Sequence, residues 1–289
     1  MFKLGVITDE VSQDFEKGVM FAKRHGLDAV ELRSAWGRDP FALEKGDMTK
    51  IKEILRKYEM QICALSTPLF KCGFNDTGEI KKHQEGLKKC IAYAEELEIG
   101  IIRGFDFFAD EAVTCEQIAE KLAAPAKWIS EAGLTLALEF DPIVNSTNAQ
   151  KLSEQIRTVN HPNVKALYDP GNDIFDPLHE IPYPDGYEFC QDLICHLHIK
   201  DAIRQNGKPV CVAVGTGWVD YSALLQRLDR DGYNGYLVLE THYRLSQELM
   251  EEQLKHPGGF AFSEAGEGAS EESIVSLKHL IKNSIKEGE

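Results

Sequence analysis

The sequence lacks the cysteine pattern of a disulfide framework or of a structural zinc site. Its seven cysteines are an odd number, and no two are spaced as a Cys-x-x-Cys pair. Scattered, unpaired cysteines are typical of proteins in a reducing compartment, so we expect a cytoplasmic protein. Only Cys195, beside two histidines, invites a functional interpretation, and for it too a small apolar core thiol is the commoner fate.

Long apolar runs and an excess of positive charge are also missing. No stretch approaches the roughly 20 apolar residues that span a bilayer, and the N-terminus begins as a strand rather than as a signal peptide. The 32 basic and 47 acidic residues give a net charge of -15. An acidic surface repels phosphate backbones and anionic lipids, so we expect neither a nucleic-acid partner nor a membrane partner.

The glycine-rich phosphate loops of nucleotide-binding folds do not occur. The first predicted strand is followed by Thr8-Asp9-Glu10-Val11, and no GxGxxG or Walker sequence is present anywhere. A doubly wound open sheet would place such a loop after its first strand. This absence argues against that alternative for an α/β chain.

Short apolar runs alternate with segments of helical spacing along the whole chain, which predicts βαβ units around a parallel sheet. Eight strands are predicted: Leu4–Thr8, Ala29–Arg33, Ile62–Ser66, Gly100–Phe105, Thr135–Phe140, Val164–Asp169, Cys195–Lys200 and Tyr236–Thr241. Eight helices are predicted: Phe15–His25, Met48–Tyr58, Ile80–Leu97, Cys115–Glu131, Asn148–Val159, Tyr187–Leu193, Tyr221–Asp231 and Glu271–Ile285. Eight of each in 289 residues indicate a single-domain (β/α)8 TIM barrel over residues 1–289. Three glycines, Gly26, Gly133 and Gly232, stand where a left-handed residue ends a helix.

Two segments interrupt this plan, at about 173–186 and about 243–270. The first contains three prolines, and the second contains a predicted short helix, Gln247–Lys255. Both follow strands, and loops after strands lie on the catalytic face of such barrels. They are interpreted either as covers over a substrate or as plain surface insertions.

Ionisable residues end four consecutive predicted strands. They are Glu139, Asp169, His198 and Glu240, with His196 deeper on the same strand as His198. Carboxylate oxygens and an imidazole nitrogen suit Mn²⁺, Co²⁺, Mg²⁺ or Zn²⁺. Three clustered carboxylates repel one another unless a cation or a proton intervenes. We therefore expect one divalent metal ion at the carboxyl ends of these strands.

Position along the strand distinguishes the two histidines. Side chains alternate across a strand, so His196 and His198 share a face, and His198 lies nearer the mouth of the barrel. His198 is the predicted ligand, and His196 is predicted to be a hydrogen-bonded core residue. Lys200 and Asp201 are expected to lie at the rim.

These motifs resemble the xylose-isomerase-like TIM-barrel superfamily, which contains sugar isomerases, epimerases and the endonuclease IV type of AP endonucleases. The matching stretches are Glu31 in Val30–Arg33, Glu139, Tyr168–Asn172, His198–Asp201, Gly215–Asp220, and Glu240 in Leu237–Glu240. The resemblance covers essentially the whole chain. It is specific for the superfamily and weak for any one substrate.

The resemblance implies a single divalent cation held by Glu139, Asp169, His198 and Glu240. In the ketose 3-epimerases of this group, the glutamates that correspond to Glu139 and Glu240 also exchange the substrate proton. This chain has Asn172 where many relatives have a histidine, and an amide can bind a hydroxyl but cannot carry a proton. A role in DNA repair would need further metal-binding histidines on the early strands and a basic face.

Other residues near the strand ends are expected to bind substrate: Arg33, Arg103, Asn172, Lys200, Asp201 and His242. Salt bridging is the alternative for the two arginines, pairing with Asp201 for Lys200, and exposure for His242. Four aromatic residues, Trp36, Phe70, Phe107 and Phe108, follow strands two to four and are expected either to cover a sugar ring or, more commonly, to pack in the core.

The sequence thus predicts a metal-dependent isomerase or epimerase that acts on a small sugar, keto-sugar or polyol derivative through an enediolate. Glu139 and Glu240 are the predicted acid/base pair. The first alternative is a lyase or dehydratase acting on a keto-sugar or inositol-like substrate, and the second is a non-catalytic sugar-binding barrel. A homo-oligomer is compatible with the resemblance, but no interface patch is recognisable.

Overall fold

Eight parallel strands form a closed barrel in the computed structural model, which describes residues 2–245 and 249–285. Around the barrel the strands follow the order β1-β10-β7-β6-β5-β4-β3-β2, so neighbours in the chain are neighbours in space. The barrel strands are β1 (Lys3–Ile7), β2 (Ala29–Leu32), β3 (Ile62–Leu69), β4 (Ile101–Gly104), β5 (Thr135–Glu139), β6 (Val164–Tyr168), β7 (Ile194–Ile199) and β10 (Tyr236–Leu239). The predicted (β/α)8 barrel is confirmed, and each predicted strand is present with its ends shifted by at most three residues.

Helices surround the barrel between the strands. They are α1 (Thr8–Val11), α2 (Phe15–Arg24), α3 (Lys45–Tyr58), α4 (Thr77–Glu96), α5 (Cys115–Glu131), α6 (Ala149–Val159), α7 (Pro170–Phe175), α8 (Tyr187–Cys190), α9 (Tyr221–Arg230), α10 (Glu251–Lys255), α11 (Gly259–Ser263) and α12 (Gly266–Ser284). The helix predicted over Tyr187–Leu193 ends at Cys190, and α12 begins five residues before its predicted start.

The strands are buried on both faces, which explains why their sequences are continuous apolar runs. Every residue of β2 is buried, and β5 and β6 are buried except near their first residues. One side of each strand faces the barrel interior and the other packs under the helices. Helix starts are fixed by polar caps, for example Thr114, whose hydroxyl accepts a hydrogen bond from the backbone of Gln117 at the start of α5.

Three helices end at the predicted glycines. Gly26, Gly133 and Gly232 have φ angles of +57°, +70° and +74°. A Cβ at any of them would meet no atom within 4 Å, so the backbone conformation, not lack of space, favours glycine. The interpretation as helix-ending residues is confirmed.

A two-stranded antiparallel hairpin, β8 (Asp201–Gln205) and β9 (Lys208–Val212), follows β7 and was not predicted. Its turn is Asn206-Gly207, with φ angles of +52° and +79°. Asn-Gly is the preferred sequence for a two-residue hairpin turn, so the signal was present in the sequence.

The two predicted insertions are more ordered than expected. The first begins in the last turn of α7, which runs from Pro170 to Phe175, and ends in a π-type turn over Pro182–Gly186. The second contains α10 and α11 and ends where α12 begins at Gly266. Residues 247 and 248 of the predicted short helix lie outside the described part of the chain, residues 249 and 250 are not helical, and Glu251–Lys255 form α10.

All seven cysteines are free thiols. Cys195 is partly buried and its thiol lies 3.5 Å from the carbonyl oxygen of Ala166, while burial raises its pKa to about 12. It is therefore an ordinary packed thiol. Within residues 2–245 and 249–285, the helices are too short or too polar to cross a bilayer.

Candidate metal centre and active site

The four predicted ligands lie together at the carboxyl ends of β5, β6, β7 and β10. One ligand atom from each of Glu139, Asp169, His198 and Glu240 lies within 4.8 Å of the others, and all four side chains are buried. Consecutive strands of a barrel bring their ends to one face, which is why residues far apart in sequence meet here. Three carboxylates and one imidazole are ligands that suit a divalent ion.

Asp169 is fixed by the start of the next helix. Its Oδ1 accepts a hydrogen bond from Gly171 N at 2.9 Å and caps α7, and Pro170 occupies the first helical turn. A Cβ on Gly171 would come within 2.5 Å of the carbonyl oxygen of Lys200, so this position requires glycine. Asp169 Oδ2, the oxygen not used by the cap, lies 2.7 Å from Lys200 Nζ.

His198 is held between two carboxylates. Its Nδ1 lies 3.1 Å from Glu139 Oε1 and 3.7 Å from Glu240 Oε2, on the side of the ligand group. Its Nε2 lies 2.8 Å from Glu31 Oε1. His196, one residue pair deeper, is fully buried with Nε2 2.7 Å from Glu31 Oε2, as expected for a hydrogen-bonded core histidine.

Lys200 is not a rim residue, which corrects the prediction. Its side chain is buried, and Nζ lies 2.7 Å from Asp169 Oδ2 and 2.8 Å from Glu240 Oε2. Burial lowers the pKa of the Lys200 ammonium, but the two carboxylates outweigh it and raise the pKa above its usual range. Its alternative partner, Asp201, is not the one it contacts.

The two arginines pair with carboxylates of the candidate ligand group, as the salt-bridge alternative predicted. Arg103 Nη1 lies 3.0 Å from Glu139 Oε2, and Arg33 Nη1 lies 2.7 Å from Glu240 Oε1. Arg33 Nη2 also contacts Asp9 and Glu10, both at 2.8 Å, from the end of β1. Arg103 also lines the cavity beside Glu139 and Glu240, and Arg33 lines a neighbouring cavity of about 290 Å³ that Arg103 borders too.

The charges of this connected buried network fit a divalent cation. The carboxylates are Asp9, Glu10, Glu31, Glu139, Asp169 and Glu240, and the permanent cations are Arg33, Arg103, Arg244 and Lys200. Six carboxylates and four basic groups leave two negative charges when the histidines are neutral. A single divalent ion would neutralise them, and burial makes an uncompensated pair costly.

The pKa shifts of Asp169 and His198 also reflect the excess of negative charge in this network. Burial raises the pKa of Asp169 to about 7, and the charges of Glu240 and Glu139 add to the rise although Lys200 opposes it. Burial lowers the pKa of His198, but Glu31, Glu139 and Glu240 outweigh it and raise the pKa well above its usual value. In both residues a bound proton would compensate negative charge that a bound metal ion can compensate instead.

A cavity of about 490 Å³ opens over this group. Its walls come from the barrel mouth, the hairpin and the segment before α11: Lys71, Arg103, Phe105, Glu139, Asp141, Asn172, Lys200, Lys208, Val210, Glu240, His242, Leu249, Leu254, Lys255 and Pro257 are among them. The segments at 173–186 and 243–270 both reach it, through Phe175 and through residues 249–257. Such a volume accommodates a small sugar or polyol.

Two further predicted contacts lie in the cavity wall. His242 is buried, not exposed, with Nε2 3.3 Å from Glu10 Oε1, and burial lowers its pKa to about 3. Asn172 donates from Nδ2 to the carbonyl oxygen of Phe140 at 2.8 Å. A neutral imidazole and an anchored amide can both bind hydroxyl groups.

Asp201 has a different role from the predicted one. It is buried, and its carboxylate accepts hydrogen bonds from the backbone of Gly215 and Gly217 at 2.9 Å and Val219 at 3.3 Å. A Cβ on Gly217 would come within 2.0 Å of Asp201 Oδ1. The Gly215–Asp220 motif therefore forms a loop wrapped around the Asp201 carboxylate, which is engaged with backbone rather than with the cavity.

Three of the four aromatic residues considered pack in or against the core: Phe70, Phe107 and the partly buried Trp36. Phe70 and Phe107 are fully buried and stack with ring centroids 4.8 Å apart. Trp36 lies under the Lys50 ammonium, and Phe108 makes an edge contact with His256. The phenylalanine rings that line the cavity are Phe105, directly after β4, and Phe175, and the sequence interpretation selected neither.

Sequence reasoning also missed the acidic group at the end of β1. Glu10 contacts Arg33, His242 and Arg244, and its ligand atoms lie close to Glu240 and His242. The stretch Thr8-Asp9-Glu10-Val11 was used only as evidence against a phosphate-binding loop. Its adjacent acidic residues directly after a strand were the available signal.

A model of the family described as the xylose isomerase-like TIM barrel matches residues 19–260. This chain belongs to the xylose isomerase-like TIM-barrel family. The match contains all four candidate ligands, the first insertion and the second insertion up to residue 260. Comparison of the sequence with curated proteins finds no match.

Solved structures of this family share the fold at low identity. The IolI protein with a bound zinc atom is 16% identical, with a TM-score of 0.76 over 99% of this chain and 100% of that one. A D-allulose 3-epimerase from Methylomonas sp. in complex with D-allulose is 17% identical, with a TM-score of 0.72 over 96% of both chains. The probable 3-DHS dehydratase AsbF from Bacillus anthracis is 16% identical, with a TM-score of 0.70 over 96% and 99%.

Proposed function

We propose that this xylose isomerase-like barrel is a divalent-metal-dependent isomerase or epimerase that acts on a small sugar, keto-sugar or polyol derivative. The observation that carries the proposal is the buried group of Glu139, Asp169, His198 and Glu240, of which Glu139 and Glu240 line a cavity of about 490 Å³. The zinc and the D-allulose in two related structures support it. When bound, the ion would supply a Lewis acid that polarises a substrate carbonyl.

Glu139 and Glu240 are the proposed acid/base pair. Burial raises the pKa of each carboxyl, but Arg103 beside Glu139 and Lys200 beside Glu240 outweigh it and lower the pKa below its usual value. Both are therefore ionised at neutral pH and can accept a proton from a carbon next to the carbonyl. The resulting substrate enediolate would be reprotonated to give the isomer.

The remaining residues of the wall bind and orient the substrate. Arg103 donates to Glu139 and its Nε has no hydrogen-bond partner among the described residues, which leaves a buried donor for a substrate oxygen. Asn172 and His242 offer neutral polar groups on two other sides of the cavity. These are the proposed substrate contacts, together with Arg33 and Lys200.

A lyase or dehydratase is the second candidate, favoured by Lys200. Its ammonium lies in the cavity wall beside Glu240 and could protonate a β-hydroxyl as it leaves the enediolate. Asn172 weakens the 3-epimerase alternative because it cannot carry a proton. The non-catalytic sugar-binding barrel, the cytoplasmic location and a homo-oligomer stay predictions.

The test begins with metal content and then measures deuterium incorporation from solvent into a panel of ketoses and polyol-derived ketones. We expect tight binding of one divalent ion per chain and carbon-bound deuterium in at least one compound. A product that has lost the mass of water would assign the lyase instead. Tight metal binding with neither exchange nor elimination across the panel, and sugar binding that survives Glu240→Gln, would leave the non-catalytic barrel.

A further inference from the structure

Glu31, on β2, lies directly beneath the ligand group and contacts both histidines of β7. Its Oε1 lies 2.8 Å from His198 Nε2, and its Oε2 lies 2.7 Å from His196 Nε2. Oε1 also accepts a hydrogen bond from the hydroxyl of Ser66 on β3. All four side chains are fully buried, so these contacts are shielded from water.

The tautomer of His196 follows from the contacts of its ring. Its Nδ1 is buried and has no hydrogen-bond partner among the described residues. A proton on Nδ1 would be an unsatisfied buried donor, so the proton belongs on Nε2, which faces Glu31. His196 therefore donates to Oε2 of Glu31.

The same reasoning applies to His198, where both nitrogens face carboxylates. A ligating imidazole has one N–H and one lone pair. The Nδ1 side faces Glu139 and Glu240, which belong to the ligand group, while the Nε2 side faces only Glu31 at short range. A proton on Nε2 satisfies Glu31 and leaves the Nδ1 lone pair on the side of the candidate metal.

We propose that Glu31 is a positioning residue for the metal centre, which accepts the Nε2–H of His198 and so presents the Nδ1 lone pair of that histidine to the ion. This inference rests on the proposed metal-dependent function. Ser66 and His196 hold the Glu31 carboxylate, so strands β2, β3 and β7 fix the orientation of one ligand. Carboxylates that hold a ligating histidine in this way contribute about 10–100-fold to metal affinity.

The test uses the full chain with selectively ¹⁵N-labelled histidine and Zn²⁺ as the probe. Long-range ¹H–¹⁵N spectra of the zinc-loaded protein should show His198 protonated on Nε2 and ligated through Nδ1. Titration calorimetry of Glu31→Gln should show a Zn²⁺ dissociation constant raised about 10–100-fold. The glutamine has an NH2 group, which donates a hydrogen bond, in the place of one carboxylate oxygen, which accepts one. The matched control is His196→Gln, whose amide can still donate to Glu31 Oε2 and leaves the Glu31 carboxylate in place, so it should change the constant by less than about threefold.

Several results would overturn the positioning role. A zinc-loaded His198 protonated on Nδ1 contradicts it directly, as does a folded Glu31→Gln variant whose affinity is unchanged or matches that of His196→Gln. If Glu31→Gln fails to fold, the wild-type spectra still decide the tautomer. If the wild type binds no Zn²⁺ at all, the proposed metal function fails. The hydrogen bond from Nε2–H of His198 to Glu31 can still be observed without zinc. Its absence from the spectra would show that the positioning contact is wrong.

Discussion

The two ends of the barrel are built from different kinds of residue. At the carboxyl ends of the strands, buried ionisable side chains cluster, and long segments such as the β8–β9 hairpin and residues 249–263 surround a cavity. At the opposite end, where helices return to strands, the turns are short, and glycines such as Gly26 and Gly133 have open space around them.

This difference separates residues expected to act in ligand binding from residues expected to act in folding stability. The carboxyl end buries more carboxylates than basic groups, an arrangement that fits the proposed metal binding. The opposite end keeps backbone conformations that only glycine adopts easily, so its arrangement is explained by chain reversal. Substitutions at the two ends should therefore affect different measurements.

The largest effect is expected for Asp169→Asn at the carboxyl end. Asparagine can still cap α7 through its side-chain oxygen, but the negative charge in the ligand group is lost. We expect the dissociation constant for Zn²⁺, measured by titration calorimetry, to rise at least about 100-fold, more than for a residue that acts through a ligand. The matched control, Asp173→Asn, changes another buried aspartate of α7 outside the ligand group and should leave the constant unchanged. Equal losses in both variants would contradict the assigned ligand set.

A smaller effect, on stability alone, is expected for Asp201→Asn. The amide nitrogen would face backbone N–H groups of Gly215 and Gly217 that now donate to the carboxylate, which should cost about 2 kcal/mol of unfolding free energy. Denaturant titration measures the change. Asp220→Asn in the same motif keeps an acceptable cap for α9 and should be nearly neutral. Retained stability together with weakened substrate binding would restore the substrate-contact interpretation of Asp201.

The smallest effect is expected for Gly133→Ala at the opposite end. The left-handed conformation, with a φ angle of +70°, should cost about 1 kcal/mol in unfolding free energy, and metal affinity should not change. Gly46→Ala is the control, because Gly46 lies inside α3 with open space around its Cα and alanine favours helix there. A change in metal affinity in Gly133→Ala would break the separation between the two ends.

Sequence periodicity was enough to predict the barrel strands and the residues at their ends. The choice of His198 over His196 followed from the two-residue period of a strand and agrees with the positions of the two rings. The surroundings of these residues were harder to predict. Lys200 was expected at the rim, yet its long side chain reaches between Asp169 and Glu240 and is buried there.

Contacts between distant strands explain most of what the sequence did not reveal. Glu31 meets His196 and His198 across 165 and 167 residues, and Glu10 meets Arg244 across 234. No local pattern encodes these pairs, because they depend on which side chains enter the barrel at one level. The hairpin is different, since its Asn206-Gly207 turn was a local signal that was overlooked.

The sequence by itself determined the (β/α)8 barrel, the helix-ending glycines and the strand positions of Glu139, Asp169, His198 and Glu240, because these depend on local period and on the rule that strand ends share a face. Only the tertiary structure decided that Asp201 organises a backbone loop, that Lys200 is buried between two carboxylates, and that Glu31 contacts His198. Those facts depend on side-chain direction and on closure of the barrel, which bring together groups that are remote along the chain.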